Sequence, residues 1–173
     1  MNNWHELFRY REGKLYWKIR SNQRVKIGEE AGYLNVSGYL LVSWKEKKYK
    51  VHRIIYEMAY GTIPDSYHID HVNGIKTDNR IDNLRLATAS QNQWNSCKPK
   101  NNTSGFKGVS WHKKAQKWQA QICIFGKDKN LGYFATKEDA YAARLEAEKI
   151  HHGEFVPSEN RKLVVVLNGG RDE

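Results

Sequence analysis

Two histidines, three aspartates and three asparagines lie within residues 68–85, which read HIDHVNGIKTDNRIDNLR. Asp70 is a hard oxygen ligand of the kind that Mg²⁺ prefers, and the neighbouring His71 can act as a base. Asn92, seven residues beyond the stretch, can supply a second oxygen. A cation that stabilises a leaving oxygen, together with an imidazole that activates water, is what phosphodiester hydrolysis requires.

The same composition is typical of a structural turn, because Asn and Asp side chains bond to their own backbone. A calcium loop of the EF-hand type that starts at Asp70 fails, since Val72 and Gly74 stand where oxygen ligands are needed. Two cysteines are too few for a cysteine-based zinc site. A polar turn and a hydrolytic metal site therefore remain as alternatives.

The elements around the stretch must bring these side chains together. Neighbouring side chains of a strand point to opposite faces, so Asp70 and His71 share a site only where the strand ends. The dipeptide Asn73-Gly74 is a strong turn signal just after them, and Thr88 with Gln91 matches a capping box that begins a helix. The predicted order is strand, polar loop, strand and helix, over residues 67–71, 72–82, 83–87 and 88–97.

The whole chain is strongly basic, with 29 Lys and Arg against 19 Asp and Glu and a formal net charge of +10. Such a charge attracts polyanions, nucleic acid above all. The longest aliphatic run, residues 163–167, is far shorter than a spanning helix requires. The first residues lack the pattern of a secretory signal. We therefore predict an intracellular protein without a membrane segment.

The C-terminal part has a charge pattern of its own. Residues 105–134 carry six lysines against one acid, whereas the following residues 135–152 are slightly acidic. Thr136 predicts a helix N-cap there. Aromatic side chains are interleaved with the lysines. This favours a sheet that binds nucleic acid over a sheet whose surface lysines only keep the domain soluble. The predicted strands are residues 108–113, 117–125 and 130–134.

Residues 50–97 resemble the HNH homing endonucleases of phages and introns. The resemblance rests on four motifs: Val51-His52-Arg53, Ile69-Asp70-His71-Val72-Asn73-Gly74, Asp78-Asn79-Arg80-Ile81-Asp82-Asn83-Leu84-Arg85, and Asn92. It implies that His71 is the general base, that Asp70 and Asn92 hold one divalent metal, and that Asn83 orients His71 and staples the loop. It favours the nuclease site over the polar turn.

The resemblance assigns less to the other polar residues of the stretch. Many HNH nucleases have His where this chain has Asn92, and the Asn version suits Mg²⁺ or Mn²⁺ better than zinc; no structural zinc is expected. His52 is expected to give structural support, and His68 is not a motif position. Two roles stay open for Arg80 and Arg85, phosphate contact or pairing with acids of the loop. The remaining loop residues Asp78, Asn79 and Asp82 are expected to be scaffolding.

The C-terminal part resembles the Apetala-type DNA-binding domain of plant ethylene-response factors. The motifs are Ser104-Gly105-Phe106-Lys107-Gly108-Val109, Lys117-Trp118-Gln119-Ala120-Gln121-Ile122, Leu131-Gly132-Tyr133-Phe134 and Glu138-Asp139-Ala140-Tyr141-Ala142-Ala143. The resemblance implies a sheet that reads the major groove, whereas Trp118 is equally compatible with the core. With the basic and aromatic side chains of the sheet, the expected DNA-contacting residues are Lys107, Ser110, Trp111, His112, Lys113, Gln121, Lys127 and Lys129.

Together these patterns predict an α+β protein: an HNH ββα-metal nuclease unit with an N-terminal β-rich extension, then a three-stranded antiparallel sheet packed on one helix. The expected segments are the N-terminal β-rich extension (residues 1–50), the nuclease unit (51–98), a linker (99–104), the DNA-binding domain (105–156) and a tail (157–173).

The predicted function is a site-recognising, divalent-metal-dependent endonuclease acting on double-stranded DNA. We expect a phage- or intron-encoded monomer in the cytoplasm of a bacterial host, with a dimer left open. The alternatives are a non-catalytic DNA-binding protein that keeps a decayed HNH scaffold, and an RNA-binding protein.

Overall fold

The computed structural model of the chain describes residues 3–95, 102–124 and 126–155. It divides into two units, Met1–Ala89 and Ser90–Glu173. The predicted helix end near Cys97, the first half of the predicted linker at 99–104 and the predicted tail at 157–173 lie outside the described residues.

The first unit begins with two small antiparallel sheets and two helices. Their strand orders are β1-β2-β3 and β4-β5-β6, and the turn between β1 and β2 contains Gly13 at a φ of +84°. The elements are α1 (Trp4–Leu7), β1 (Phe8–Arg11), β2 (Lys14–Trp17), β3 (Glu30–Ala31), β4 (Tyr33–Leu34), β5 (Leu40–Trp44), β6 (Lys47–Lys50) and α2 (Val51–Tyr60).

Helix α2 holds this unit together through its apolar side. Val51, Ile54 and Ile55 are each 1% exposed and share one core with Phe8 and other apolar residues of the N-terminal strands. Burying side chains of this size stabilises the fold by about 1.5–3 kcal/mol each. The helix ends at Tyr60, and Gly61 forms its C-cap.

A two-stranded antiparallel sheet then carries the polar stretch. Strand β7 (His68–His71) pairs with β8 (Leu84–Ala87), a 3₁₀ turn at Ile81–Asn83 precedes β8, and helix α3 (Ala89–Trp94) follows. The predicted order of strand, polar loop, strand and helix is confirmed.

The second unit contains the predicted sheet and helix. Strands β9 (Val109–His112), β10 (Lys117–Ile124) and β11 (Lys127–Phe134) form an antiparallel sheet in the order β9-β10-β11. Helix α4 (Lys137–His152) packs on it through a core that contains Val109, Ala120 and Ala140. Thr136 caps this helix by accepting from Asp139 N. The predicted α+β fold class is confirmed.

None of the helices in the described part of the chain is long and apolar enough to cross a membrane.

Candidate active site

His71 stands at the end of β7, where the chain leaves the sheet. The N–H of Gly74 donates to the carbonyl of His71 at 2.8 Å, so the strand ends in a turn directly after His71. Asp70 and His71 are both buried, at 4% and 5% exposure. The strand thus ends where the Asn73-Gly74 signal places its end, which is the condition for Asp70 and His71 to serve one site.

An amide from the polar loop holds the ring of His71. The ring Nε2 lies 2.9 Å from Oδ1 of the fully buried Asn79. Because a neutral imidazole donates from one nitrogen and accepts at the other, a tautomer that donates from Nε2 assigns proton acceptance to Nδ1. Burial lowers the pKa of His71, although Asn79 and Asp70 act in the opposite direction. The ring is therefore an uncharged proton acceptor at neutral pH.

Two further rings pack around His71. His52 of α2 meets it edge to face, with 5.0 Å between ring centroids, and the centroid of Tyr39 lies 6.3 Å from it. Burial, with smaller electrostatic contributions from His71 and Lys50, lowers the pKa of His52 to about 3. His52 thus stays uncharged at neutral pH and supports His71 by packing, the role expected for it.

Asn83 closes the polar loop at its base. Its Oδ1 accepts from Asn73 N at 3.0 Å, and its Nδ2 donates to Asn73 Oδ1 and to the carbonyl of Asp78. The backbone adds a bond from Val72 N to the carbonyl of Asn83 at 2.9 Å. These contacts tie the two ends of the loop together. The further role predicted for Asn83, orienting His71, stays a prediction.

Asp70 faces an arginine across the ladder. Arg85 is its partner in the register of β7 and β8, and Nε and Nη2 of Arg85 each lie 2.8 Å from Asp70 Oδ2. The two side chains are only 13% and 5% exposed. The sequence left phosphate contact or pairing with a loop acid open for Arg85, and the structure pairs it with Asp70.

The chemistry of Asp70 fits a divalent cation that prefers oxygen ligands. No group of three or more His, Cys, Asp and Glu side chains that could hold a metal occurs among the described residues. Within the described part of the chain, a metal at Asp70 would therefore need donors of another kind, such as amide oxygens. Asn92, the predicted second ligand, lies on α3 within the second unit, and its joint role with Asp70 stays a prediction.

Arg80 forms an ion pair inside the loop. Its Nε and Nη2 donate to the two carboxylate oxygens of Asp78 at 2.9 and 2.8 Å. Hydrogen bonding from Arg80 lowers the pKa of Asp78 to about 2. The loop-acid pairing left open for Arg80 is thus present, while its side chain is 56% exposed and a DNA contact remains a prediction.

The N-terminal hairpin holds the same loop from outside. A Cβ on Gly13 would lie 2.8 Å from Arg80 N and 3.1 Å from the carbonyl carbon of Asn79, so only glycine permits this approach. Close by, Ile81 N donates to the hydroxyl of Tyr10 at 3.1 Å. The turn between β1 and β2 therefore contacts the loop beside the residue that bonds His71.

Sequence reasoning missed several of these roles. Asn79 was expected to be loop scaffolding, yet it bonds His71, and neither Gly13 nor Tyr10 was connected with the site. The pattern Asp78-Asn79-Arg80 marks a polar loop, but it does not say which amide turns inward. Gly13 carries a turn signal only. Its close approach to the loop depends on a contact between residues far apart in the chain.

In the second unit, three of the predicted DNA-contacting residues lie on the side of the sheet away from its core. Ser110 and His112 alternate with the buried Val109 in β9, and the exposed Gln121 stands between buried positions of β10. His112 is fixed in place by accepting at Nδ1 from Ala115 N at 3.0 Å. Their contact with DNA stays a prediction.

The other predicted contacts have different surroundings. Lys107 Nζ donates to the carbonyl of Trp94 at 2.8 Å, which places its ammonium group at the end of α3. Trp118 packs against the core of the sheet, and Trp111, its partner in the ladder, meets it at 5.2 Å between ring centroids while 44% exposed. Of the two alternatives for Trp118, a DNA contact or a core residue, the structure shows the core residue. The remaining predicted contacts are exposed lysines, Lys113, Lys127 and Lys129.

Known proteins resemble parts of this chain. Residues 49–94 match the HNH endonuclease family. Protein 3.8 of Escherichia phage T7 is 44% identical over 80 residues, which cover 46% of this chain and 66% of that protein. An uncharacterized HNH endonuclease of Acanthamoeba polyphaga mimivirus is 42% identical over 78 residues, 44% of this chain and 39% of that protein.

The chain matches less than two thirds of the length of either viral relative. No solved structure matches it significantly. The strand, loop, strand and helix that carry His71 and Asn83 fall inside the family match. Residues 49–94 are therefore similar to the HNH endonuclease family, and the chain is also similar to proteins of a bacteriophage and of a mimivirus.

Proposed function

We propose that this chain is a site-recognising DNA endonuclease of the homing type, which hydrolyses phosphodiester bonds with one divalent metal, Mg²⁺ or Mn²⁺. One observation carries the proposal: an uncharged His71 sits at the end of β7, bonded to Asn79 and adjacent to Asp70. The match of residues 49–94 to the HNH endonuclease family supports it.

In the proposed mechanism His71 removes a proton from the attacking water, and the resulting hydroxide attacks the phosphorus while the bond from phosphorus to the leaving sugar oxygen breaks. Burial keeps the ring uncharged and ready to accept that proton, and Asn79 fixes its orientation. Asp70 and Asn92 would hold the metal, which when bound stabilises negative charge on the phosphate and the leaving oxygen. Asn83 keeps the loop closed around His71.

The second unit supplies affinity for double-stranded DNA in this proposal, as an Apetala-type domain. The three-stranded sheet packed on one helix is the fold that the resemblance implied. Ser110, His112 and Gln121 face away from its core, and exposed lysines extend the positive surface. We expect base contacts from the polar side chains and phosphate contacts from the lysines.

We expect a monomer that nicks DNA in the cytoplasm of a bacterial host, because one His71 site serves one strand at a time. A dimer would bring two such sites together and would cut both strands. Both states remain compatible with the proposed chemistry.

The test is cleavage of a supercoiled plasmid with Mg²⁺ or Mn²⁺, measured beside a gel-shift assay. His71→Ala should slow cleavage by about 10²-fold or more, since a general base contributes that much, while DNA affinity stays the same. His68→Ala, a change at an exposed position of the same strand, should cleave normally. A wild-type chain that binds DNA but cuts with neither metal would instead identify a non-catalytic DNA-binding protein.

The gel-shift assay also tests the second unit. Replacing Lys127 and Lys129 together by Gln should lower affinity and reduce the salt dependence of binding. Unchanged affinity and unchanged salt dependence would remove these lysines from the proposed DNA surface.

A further inference from the structure

Two lysines of the first unit lie over the ring that packs beside His71. Lys50 Nζ is 4.7 Å and Lys76 Nζ is 4.8 Å from the centroid of the Tyr39 ring. The ring itself lies 6.3 Å from that of His71 and 5.3 Å from that of His52. A pair of ammonium groups is thereby gathered at the edge of the candidate active site.

These charges lack the acidic partners that three other cations of the unit have. Among the described residues, Lys14 pairs with Glu30, Arg80 with Asp78 and Arg85 with Asp70, whereas neither Lys50 nor Lys76 forms an ion pair. Their common contact is the face of Tyr39, which attracts a cation by about 0.5–1 kcal/mol at an exposed site. Bringing two like charges to one ring is unfavourable until an anion joins them.

The positions of both lysines are set by the fold. Lys50 is the last residue of β6 and directly precedes α2, which carries His52. Lys76 lies in the loop after β7, and its Nζ donates to the carbonyl of Ser37 at 3.0 Å. Tyr39 itself is held by its backbone N–H, which donates to Asn35 Oδ1 at 2.9 Å. Both lysines remain exposed to solvent.

The positive charge reaches the imidazoles. Burial is the main reason that the pKa values of His52 and His71 are lowered, and Lys50 lowers the first further and Lys76 the second. A phosphodiester at His71 would lie near two ammonium groups that form no ion pair, both placed over the Tyr39 ring, whose centroid is 6.3 Å from that of His71. That arrangement suits the backbone of a nucleic acid, whose phosphates continue on both sides of the one that is cut.

We propose that Tyr39, Lys50 and Lys76 form a phosphate platform, which binds the backbone of double-stranded DNA beside the phosphate presented to His71. The inference rests on the proposed nuclease function and adds binding residues to the same site. Lys50 and Lys76 each contact a phosphate, and the Tyr39 ring keeps both lysines ordered before DNA binds. These contacts position the strand and read no base.

The test is DNA binding without cleavage. In the full chain carrying His71→Ala, affinity for a double-stranded oligonucleotide is measured from about 50 to 200 mM KCl, where counterion release gives a slope of about −0.9 per phosphate contact. Lys50→Gln and Lys76→Gln should each reduce the magnitude of the slope by about 0.9, and the double variant by roughly twice that.

Lys47→Gln is the matched control, because Lys47 belongs to the same strand as Lys50 and is exposed but makes no contact with the Tyr39 ring. It should leave the slope unchanged. Tyr39→Phe keeps the ring and should bind as the parent does, whereas Tyr39→Leu should weaken affinity about three-fold, the value of a modest cation–π contact. Thermal melting of each variant separates these effects from misfolding.

A double variant whose salt-dependence slope with double-stranded DNA equals that of its parent would overturn the platform. A reduction of the slope that is seen only when the ligand is an RNA duplex would overturn it as well. Plasmid cleavage by the wild-type chain tests the nuclease function separately. If the double variant lowers the slope but the wild-type chain cuts no plasmid, the phosphate platform is supported and the nuclease function is contradicted. If the wild-type chain cuts normally but the slope is unchanged in the double variant, the nuclease function is supported and the platform is contradicted.

Discussion

In the proposed site, two cations compete for the carboxylate of Asp70. Arg85 already lies 2.8 Å from Oδ2 of Asp70, and the two side chains are only 13% and 5% exposed. A metal ion bound to the same carboxylate would stand close to the guanidinium and be repelled by it. In this proposal Arg85 compensates the charge of Asp70 before the metal binds and weakens the binding of the metal.

A first prediction at the residue scale concerns Arg85→Met. In EDTA the variant should lose about 3 kcal/mol of unfolding free energy, the usual cost of removing one partner from a buried ion pair. Addition of Mn²⁺ should then raise its melting temperature by more than it raises that of the wild-type chain, because the metal replaces the missing charge. Differential scanning fluorimetry with and without Mn²⁺ measures both quantities.

Arg80→Met is the control for this prediction. Arg80 also pairs with an aspartate, but its side chain is 56% exposed, and exposed ion pairs contribute little to stability. It should show the Mn²⁺ shift of the wild-type chain. If Arg85→Met shows that same shift, Arg85 does not compete with the metal for Asp70.

At the scale of elements, the hairpin of β1 and β2 acts as a support for the polar loop. Gly13 adopts a left-handed conformation and touches the backbone at Asn79 and Arg80. Asn79 in turn bonds His71. A disturbance of the hairpin turn should therefore reach the ring of His71 through a single loop residue.

Gly13→Ala tests this connection. The left-handed conformation costs an alanine about 1–2 kcal/mol, and the added Cβ must also push the backbone of Arg80 away. We expect lower stability in urea denaturation together with slower plasmid cleavage, because Asn79 moves with the loop.

Gly28→Ala separates the two effects. Gly28 has nearly the same φ, +86°, but a Cβ there would meet nothing within 4 Å. The variant should lose stability through backbone strain and still cleave at the wild-type rate. Equal cleavage rates for the two variants would show that the hairpin does not position the loop.

At the scale of the whole molecule, each unit buries a histidine in uncharged form. Burial lowers the pKa of His52 to about 3 in the first unit and that of His152 to about 4 in the second. Both values lie below the ordinary 6.5, so the folded chain binds fewer protons than the unfolded chain in acid. Their contribution to stability is complete above pH 6.5 and is lost as the pH falls toward those values.

The chain should therefore be less stable at pH 5 than at pH 7. For His52 the expected loss of unfolding free energy is about 2 kcal/mol, since one pH unit across a full proton difference corresponds to about 1.4 kcal/mol. Urea denaturation at the two pH values measures the loss, and His52→Gln should reduce it. His68→Gln, a change at an exposed histidine, should leave the loss of unfolding free energy between pH 7 and pH 5 as large as in the wild-type chain. If both variants reduce this loss equally, His52 is not its cause.

The order of elements could be predicted because its signals are local. Asn73-Gly74 marks the end of β7 and Thr136 the start of α4, and each acts through backbone conformation within a few residues. The strands of the second unit follow from short apolar and aromatic runs in the same way. The α+β fold class needed no contact between distant segments.

The partners of the polar side chains depend on distant segments, and the sequence leaves them open. Local composition shows that the loop is polar, but not that Asn79 turns inward to His71 or that Arg85 selects Asp70. The sequence by itself determined the residues available for chemistry and the order of their elements. The tertiary structure decided which of them meet, because strand register and hairpin packing join residues that are far apart in the chain.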